Sequence, residues 1–297
     1  MAEIIQKDGT WAFDGDCLRL TPGRDRNVSP MRRALGELEV PLSALAGVSF
    51  EQGRRSGRLR LRLRDGADPL AGATAGRLAE SDDPCRLTVD SDRYGVAEYV
   101  AEEVRAALLL EGVPAGPVTG YLLPGPGLPV SAAAGDGTAA FDGERVRLEW
   151  NWRTEDAKAA TGPRSIPLAE ITAVRWQPAA GLENGYLRFR VRGAPVTAPP
   201  TFDPNAVELW GFRKDPLMAL VAAAVQVRLP HPSAAPAGAL APAGGPAPAE
   251  APAEAPAVED DHDTLLRRPR ELGEPHRSGV LAEEEFTVAK RAVLGRM

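Results

Sequence analysis

The clearest periodicity in this chain is a strict two-residue alternation that occurs twice. From Arg58 to Arg64, Leu59, Leu61 and Leu63 alternate with arginines, and from Tyr186 to Arg192, Leu187, Phe189 and Val191 do the same. A period of two places apolar side chains on one face of a strand and charged ones on the other. Each segment therefore predicts a strand with one face on a core and one toward water or a partner. A different period follows each of them. Val96, Val100, Val104 and Leu108 recur every four residues, with Tyr99 and Ala107 widening the stripe, which predicts an amphipathic helix that Ser91 or Asp92 can cap. Leu217, Leu220, Val221 and Val225 predict a second helix. It is apolar nearly all round and so the more deeply buried of the two. Asp215-Pro216 supplies its entry, with Asp accepting free N–H groups and Pro at the first helical position.

The surrounding landmarks are duplicated as well. Gly9-Thr10, Phe13-Asp14-Gly15 and Leu18-Arg19-Leu20 return 128 residues later as Gly137-Thr138, Phe141-Asp142-Gly143 and Val146-Arg147-Leu148. Pro41-Leu42 returns as Pro167-Leu168, Ser56-Gly57 as Asn184-Gly185, and Asp83-Pro84 as Asp203-Pro204. Landmarks kept in one order over about a hundred residues imply one fold duplicated. Asp14-Gly15 and Asp142-Gly143 read as tight two-residue hairpin turns. Val40 to Phe50 and Ile166 to Trp176 each read as a strand entered through a bend, and Leu87 to Val89 and Val207 to Leu209 as further strands. Several strands followed by one helix is the plan of a pleckstrin-homology-like unit, a bent sheet curled into a partly open barrel and plugged by a helix. That order excludes a βαβ parallel sheet.

The expected fold class is α+β, mainly β: two such tandem units and a small helical tail. The expected boundaries are a first repeat over 1–112, a Pro/Gly connector over 113–128 and a second repeat over 129–230. A disordered spacer over 231–260 and a helical tail over 261–297 complete the chain. Residues 231–258 hold 12 Ala and 7 Pro, too little apolar bulk for a core.

Charge narrows the function. Residues 1–120 carry 16 basic and 19 acidic groups, 121–230 carry 12 and 11, and the remainder 7 and 11. No part is strongly basic, which argues against a dedicated nucleic-acid binder. The start, Met1-Ala2-Glu3-Ile4-Ile5, lacks the features of a secretory signal. The longest apolar run, Leu217 to Val225, falls short of the roughly 20 residues of a spanning helix. A cytoplasmic location is expected, with peripheral membrane contact as an option. Cys17 and Cys85 read as two reduced thiols; a disulfide or two-thiol redox centre gains nothing from their long spacing.

No catalytic, metal or cofactor site is expected. His231, His262 and His276 all lie outside the repeats, so no His-based triad or metal cluster belongs to the folded body. Gly125-Pro126-Gly127 lacks the strand and helix that a phosphate loop requires. The candidate anion or partner face is Arg58, Arg60, Arg62 and Arg64, helped by Arg54 and Arg55 and repeated by Arg188, Arg190 and Arg192. Arginine matches carboxylate and phosphate geometry, and the plainer reading is a solvated strand face with acidic cross-strand partners. Trp150, Trp152, Trp176, Trp210 and Phe212 mark the second repeat; Trp150 and Trp152 share one strand face by spacing. Core or repeat–repeat packing explains them, with a peptide groove as the alternative.

In the tail, Leu265, Leu266 and Leu272 outline a short helix, Gly279 a turn, and Glu283-Glu284-Glu285 the start of a second helix. Leu281, Phe286, Ala289 and Val293 complete an apolar stripe for self-association or partner recruitment. Leu272, Gly279, Val280-Leu281, Glu284-Glu285-Phe286, Lys290 and Leu294 resemble the SHOCT family of short C-terminal domains. Pro269 and Pro275 depart from its pattern and are expected to interrupt the first helix, and Ala282 stands where a capping Ser or Thr would be. With this tail, the doubled Phe-Asp-Gly landmark, residues 184–189 and residues 203–212, the chain resembles a bacterial family. That family has tandem pleckstrin-homology-like domains of unknown function followed by a SHOCT segment. The resemblance implies a binding or scaffolding role and carries no catalytic residues. The expected protein is a non-enzymatic interaction or scaffold protein with protein partners. The alternatives are a peripheral adaptor for anionic lipid and an enzyme of unrecognised type. Neither nucleic acid nor a small-molecule substrate is indicated.

Overall fold

The computed structural model describes residues 1–194 and 198–233, and one compact unit, Met1–Gly238, holds both repeats. The spacer beyond residue 233 and the tail residues Leu265, Leu266, Leu272, Leu281, Phe286, Ala289 and Val293 lie outside the described residues.

Each repeat is a four-stranded antiparallel sheet, a three-stranded antiparallel sheet and a closing helix. In the first, β1 (Ala2–Gln6), β2 (Gly9–Phe13), β3 (Cys17–Pro22) and β4 (Leu38–Pro41) pair in chain order. Then β5 (Leu45–Glu51), β6 (Ser56–Leu63) and β7 (Arg86–Asp90) form the second sheet, and α3 (Tyr94–Leu110) closes the repeat. Two short helices interrupt this order, α1 (Pro30–Leu35) between β3 and β4 and α2 (Pro69–Thr74) between β6 and β7. The second repeat runs β8 (Val130–Ala134), β9 (Gly137–Phe141), β10 (Arg145–Trp150) and β11 (Arg164–Pro167). It continues with β12 (Ile171–Gln177), β13 (Gly185–Val191), β14 (Ala206–Leu209) and α5 (Leu217–Gln226), with α4 (Asp156–Ala159) between β10 and β11. The fold is α+β and mainly β. None of the four sheets closes into a barrel by itself.

The alternation on β6 and β13 has the anticipated inside and outside. Leu59, Leu61, Leu187 and Phe189 are buried, while Arg58, Arg60, Arg62 and Arg190 are exposed. Several local readings need correction. Val40 to Phe50 is not one bent strand: β4 ends at Pro41, a single turn over Leu42–Ala44 follows, and β5 begins in the other sheet. Ile166 to Trp176 is divided the same way by Leu168–Glu170. The Pro-Leu pair therefore marks the corner where the chain changes sheets. The turns after β2 and β9 are three residues long, and Asp14 and Asp142 organise them by accepting the amides two and three residues on. Tyr99 faces out, and Ala97 and Ala101 widen the α3 stripe instead. No side chain caps α3. Asp215 does not cap α5 either; its carboxylate turns back to accept the amides of Gly211 and Phe212.

Helix α5 joins the repeats. Every residue from Met218 to Gln226 is buried, with the second-repeat sheets on one side and α1 and α2 of the first repeat on the other. Met31, Leu70 and Ala73 of the first repeat accordingly belong to the second repeat's core. The connector takes part in the same junction. Val118 donates to Asp65, Leu122 and Leu123 donate to Ala67, and Leu123 is buried in the first core. Tyr121 accepts from Gln226 of α5 at 2.7 Å.

Candidate functional site

The arginine row on β6 is the starting point. Glu51 and Thr88 stand opposite Arg58, Ser49 and Arg86 opposite Arg60, and Gly47 opposite Arg62. Cross-strand acidic neighbours are thus nearly missing, and among the described residues no carboxylate lies within 4.0 Å of Arg58, Arg60 or Arg62. Arg62 donates only to Ala46, at 3.2 Å. Arg64 leaves the row: its guanidinium donates to Gly116 at 2.8 Å and Ser43 at 3.0 Å, fastening the connector. Arg60, Arg62 and Arg64 border a cleft of about 430 Å³ between β6 and α2, which also reaches Asp68, Asp83 and Cys85.

The copy on β13 is finished differently. Arg188 is half-buried, its Nε lies 2.9 Å from Asp203, and it donates to Ala198 at 2.8 Å. It also faces the Tyr186 ring, 5.1 Å from its centroid. Only Arg190 and Arg192 remain exposed there. The first-repeat equivalent of Asp203 is Asp83, which accepts the Cys85 amide as Asp203 accepts that of Asn205. Asp83 pairs with no arginine within 4.0 Å. Burial pushes its carboxyl up, and the nearby arginines only partly offset this.

A second duplicated group was not read from the sequence. Asp8 and Asp136 sit in the first turn of each repeat, each two residues before a Thr in Asp-Gly-Thr. Each ties the four-stranded sheet to the last strand: Asp8 accepts the Thr88 amide at 3.1 Å, and Asp136 that of Glu208 at 2.8 Å. Each also meets a cation from the helix inserted before the fourth strand. Arg32 of α1 stands 3.5 Å from Asp8, and Lys158 of α4 stands 2.6 Å from Asp136. The Lys158 pair is wholly buried, with Pro200 accepting a further bond at 3.0 Å and the Trp150 ring 4.6 Å away. Burial pushes Asp136 up and Lys158 down, while their mutual hydrogen bond opposes both shifts. Asp-Gly-Thr was the available signal. Arg32 and Lys158 gave none, because the segments holding them differ in length and sequence.

Asp68 caps α2 by accepting the Leu70 and Ala71 amides. Burial nevertheless raises its pKa to about 6, with the Asp83 charge adding to the effect. Cys85 is buried and Cys17 half-buried, both unpaired, and burial raises both thiols above the usual range. A protonated, enclosed thiol is a poor nucleophile. The aromatic residues divide. Trp176 is core, Trp150 is half-buried at the end of β10, and Trp152 lies beyond the strand and is exposed, so the two do not share a strand face. Arg153 stacks between Trp152 and Trp210, and Trp210 meets Phe212 edge-on. Among the described residues no helix is long and apolar enough to cross a membrane.

Fold and sites together define a mainly β, α+β protein made of two copies of one sheet-and-helix unit, with Arg60 unpaired in the first and its equivalent Arg188 paired with Asp203 in the second. The chain belongs to the family described as Domain of unknown function (DUF4429), whose model matches residues 11–105 and again residues 139–226, more than half of the chain. No curated protein matches it.

Proposed function

We propose that this protein is a non-enzymatic interaction protein whose first repeat binds an acidic, extended segment of a protein partner along Arg58, Arg60 and Arg62. One observation carries the reading: these three guanidiniums are exposed and lack carboxylate partners among the described residues, whereas the equivalent of Arg60, Arg188, is neutralised by Asp203. Alternate residues of a strand lie roughly 6.6 Å apart, the spacing of alternate side chains on an extended peptide. Arginine suits the carboxylates of such a peptide. The tail, with its likeness to the SHOCT family, adds self-association or recruitment of further partners, and the cytoplasm is the proposed location.

Titrating the full chain with a fluorescent dodecamer of glutamate tests the arginine row. The expected result is salt-sensitive binding that weakens at least tenfold in Arg58→Ser/Arg60→Ser/Arg62→Ser and little in Arg190→Ser/Arg192→Ser. Equal affinity in the triple variant would overturn it. Vesicles with and without 30% phosphatidylserine provide the competing arm. Binding to acidic vesicles alone, lost in the triple variant, would assign the row to a membrane surface instead. Sedimentation of the chain with and without residues 259–297 tests the tail; the same mass in both removes the self-association role.

A further inference from the structure

We infer that the groove between the two repeats is a docking site for a proline-rich, extended peptide segment. The groove has a volume of about 490 Å³ and is lined by residues of both repeats, which α5 and the Arg213–Arg26 bond hold together. The first repeat contributes Asn27, Pro30, Arg77 and Asp82, and the second contributes Trp176, Pro178, Phe212, Arg213 and Pro216. Trp176 forms the buried floor, and Phe212 stands exposed on the wall beside three proline rings.

Its exposed charged groups are one-sided. Both carboxylates are buried and already committed. Asp82 accepts Ser29 Oγ at 2.5 Å, and Asp215 accepts the Gly211 and Phe212 amides, its other oxygen being enclosed beyond a ligand's reach. The exposed charged groups are donors: the Arg77 guanidinium and Arg213, which uses one nitrogen to hold Arg26 of the first repeat at 2.8 Å, while the Asn27 amide and the Ser81 hydroxyl each donate as well as accept. A fitting ligand therefore offers acceptors, few donors and flat apolar rings. Proline has no N–H, and an extended polyproline helix leaves its carbonyls unbonded. Aromatic-lined grooves recognise such helices because little ordering entropy is lost on binding. The formal charges of the lining cancel, Arg77 and Arg213 against Asp82 and Asp215, which favours a nearly neutral segment over the acidic one proposed for β6. Residues 234–258 of this chain come close to that composition, with 12 Ala and 6 Pro and with Glu250 and Glu254 as their only charged residues.

The test is fluorescence anisotropy with a labelled peptide copying residues 234–258. It is titrated with the full chain and with a full chain whose prolines 236, 242, 246, 248, 252 and 256 are serine, so that no proline-rich segment in cis competes. Saturable binding to at least one is expected. It should weaken at least fivefold in Phe212→Ala and in Arg77→Ser, both exposed positions, and remain unchanged in Arg58→Ser/Arg60→Ser/Arg62→Ser. The same β6 triple variant loses the glutamate peptide, so the two sites fail independently. Absence of binding to both chains, or binding unaffected by Phe212→Ala and Arg77→Ser, would overturn the proposal.

Discussion

At the scale of single residues, two buried ionisable groups have measurable consequences. Lys158 and Asp136 neutralise each other out of water. Removing one member of such a pair strands the other, at a cost of roughly 3–5 kcal/mol. Lys158→Met is therefore expected to lower stability by about that amount in urea unfolding, and Lys158→Met/Asp136→Asn by clearly less, because no charge is then left alone. Equal losses would mean that the pair is not a unit. Asp68 works in the opposite sense. Its folded pKa, about 6, lies above the ordinary carboxylate value of 3.8. Its contribution to stability is complete at low pH and is lost as the pH rises through 6. Asparagine keeps the cap without the charge. Asp68→Asn is expected to match the parent near pH 4 and exceed it at pH 8, by about 1–2 kcal/mol once solvent screening is allowed for. Urea midpoints at the two pH values give the answer.

Among the elements, α2 departs most from what the sequence revealed. The periodicity made β6, β13 and α3 legible, since each has one apolar face over several turns or alternations, and α5 was legible as a continuous apolar run. Helices α1, α2 and α4 are too short for any period to register. Their signals were local. Ser29-Pro30 and Asp68-Pro69 are caps followed by proline at the first helical position, and both side chains accept first-turn amides. The same signal at Asp215-Pro216 misled, since backbone geometry there turns the carboxylate away from the helix. The register of the duplication also marked α2. Leu59 and Leu187 are 128 apart, but Leu87 and Val207 are 120 apart, so the first repeat carries eight extra residues between β6 and β7. Those residues surround α2, whose Leu70 and Ala73 enter the core of the other repeat. Leu70→Ala is expected to cost about 2–4 kcal/mol by leaving a cavity against α5. Amide exchange should then rise along α5 in the second repeat. A rise confined to the first repeat would contradict that placement.

Over the whole molecule, duplication is followed by divergence of charge. Both copies keep the Asp-Gly-Thr turn that ties sheet to sheet, and both keep the inward leucines that fix the strand register. Both also set a buried cation beside the aspartate of that turn, but in the second copy Arg188 is paired with Asp203, while in the first Arg58, Arg60 and Arg62 stay open. The arginine alternation was legible, but which arginines are free depended on loops whose partners are distant in sequence. The aromatic residues likewise divided between core and surface by where β10 ends, which spacing alone did not give. The two repeats also share α5 as a common core element, with α1 and α2 on its outer side. They should not unfold one at a time, since separating them exposes an almost wholly apolar helix. Differential scanning calorimetry of the full chain tests this most directly. A single transition whose calorimetric and van't Hoff enthalpies agree is expected. Two resolved transitions, each with about half the total enthalpy, would contradict the account of two copies closed over one helix.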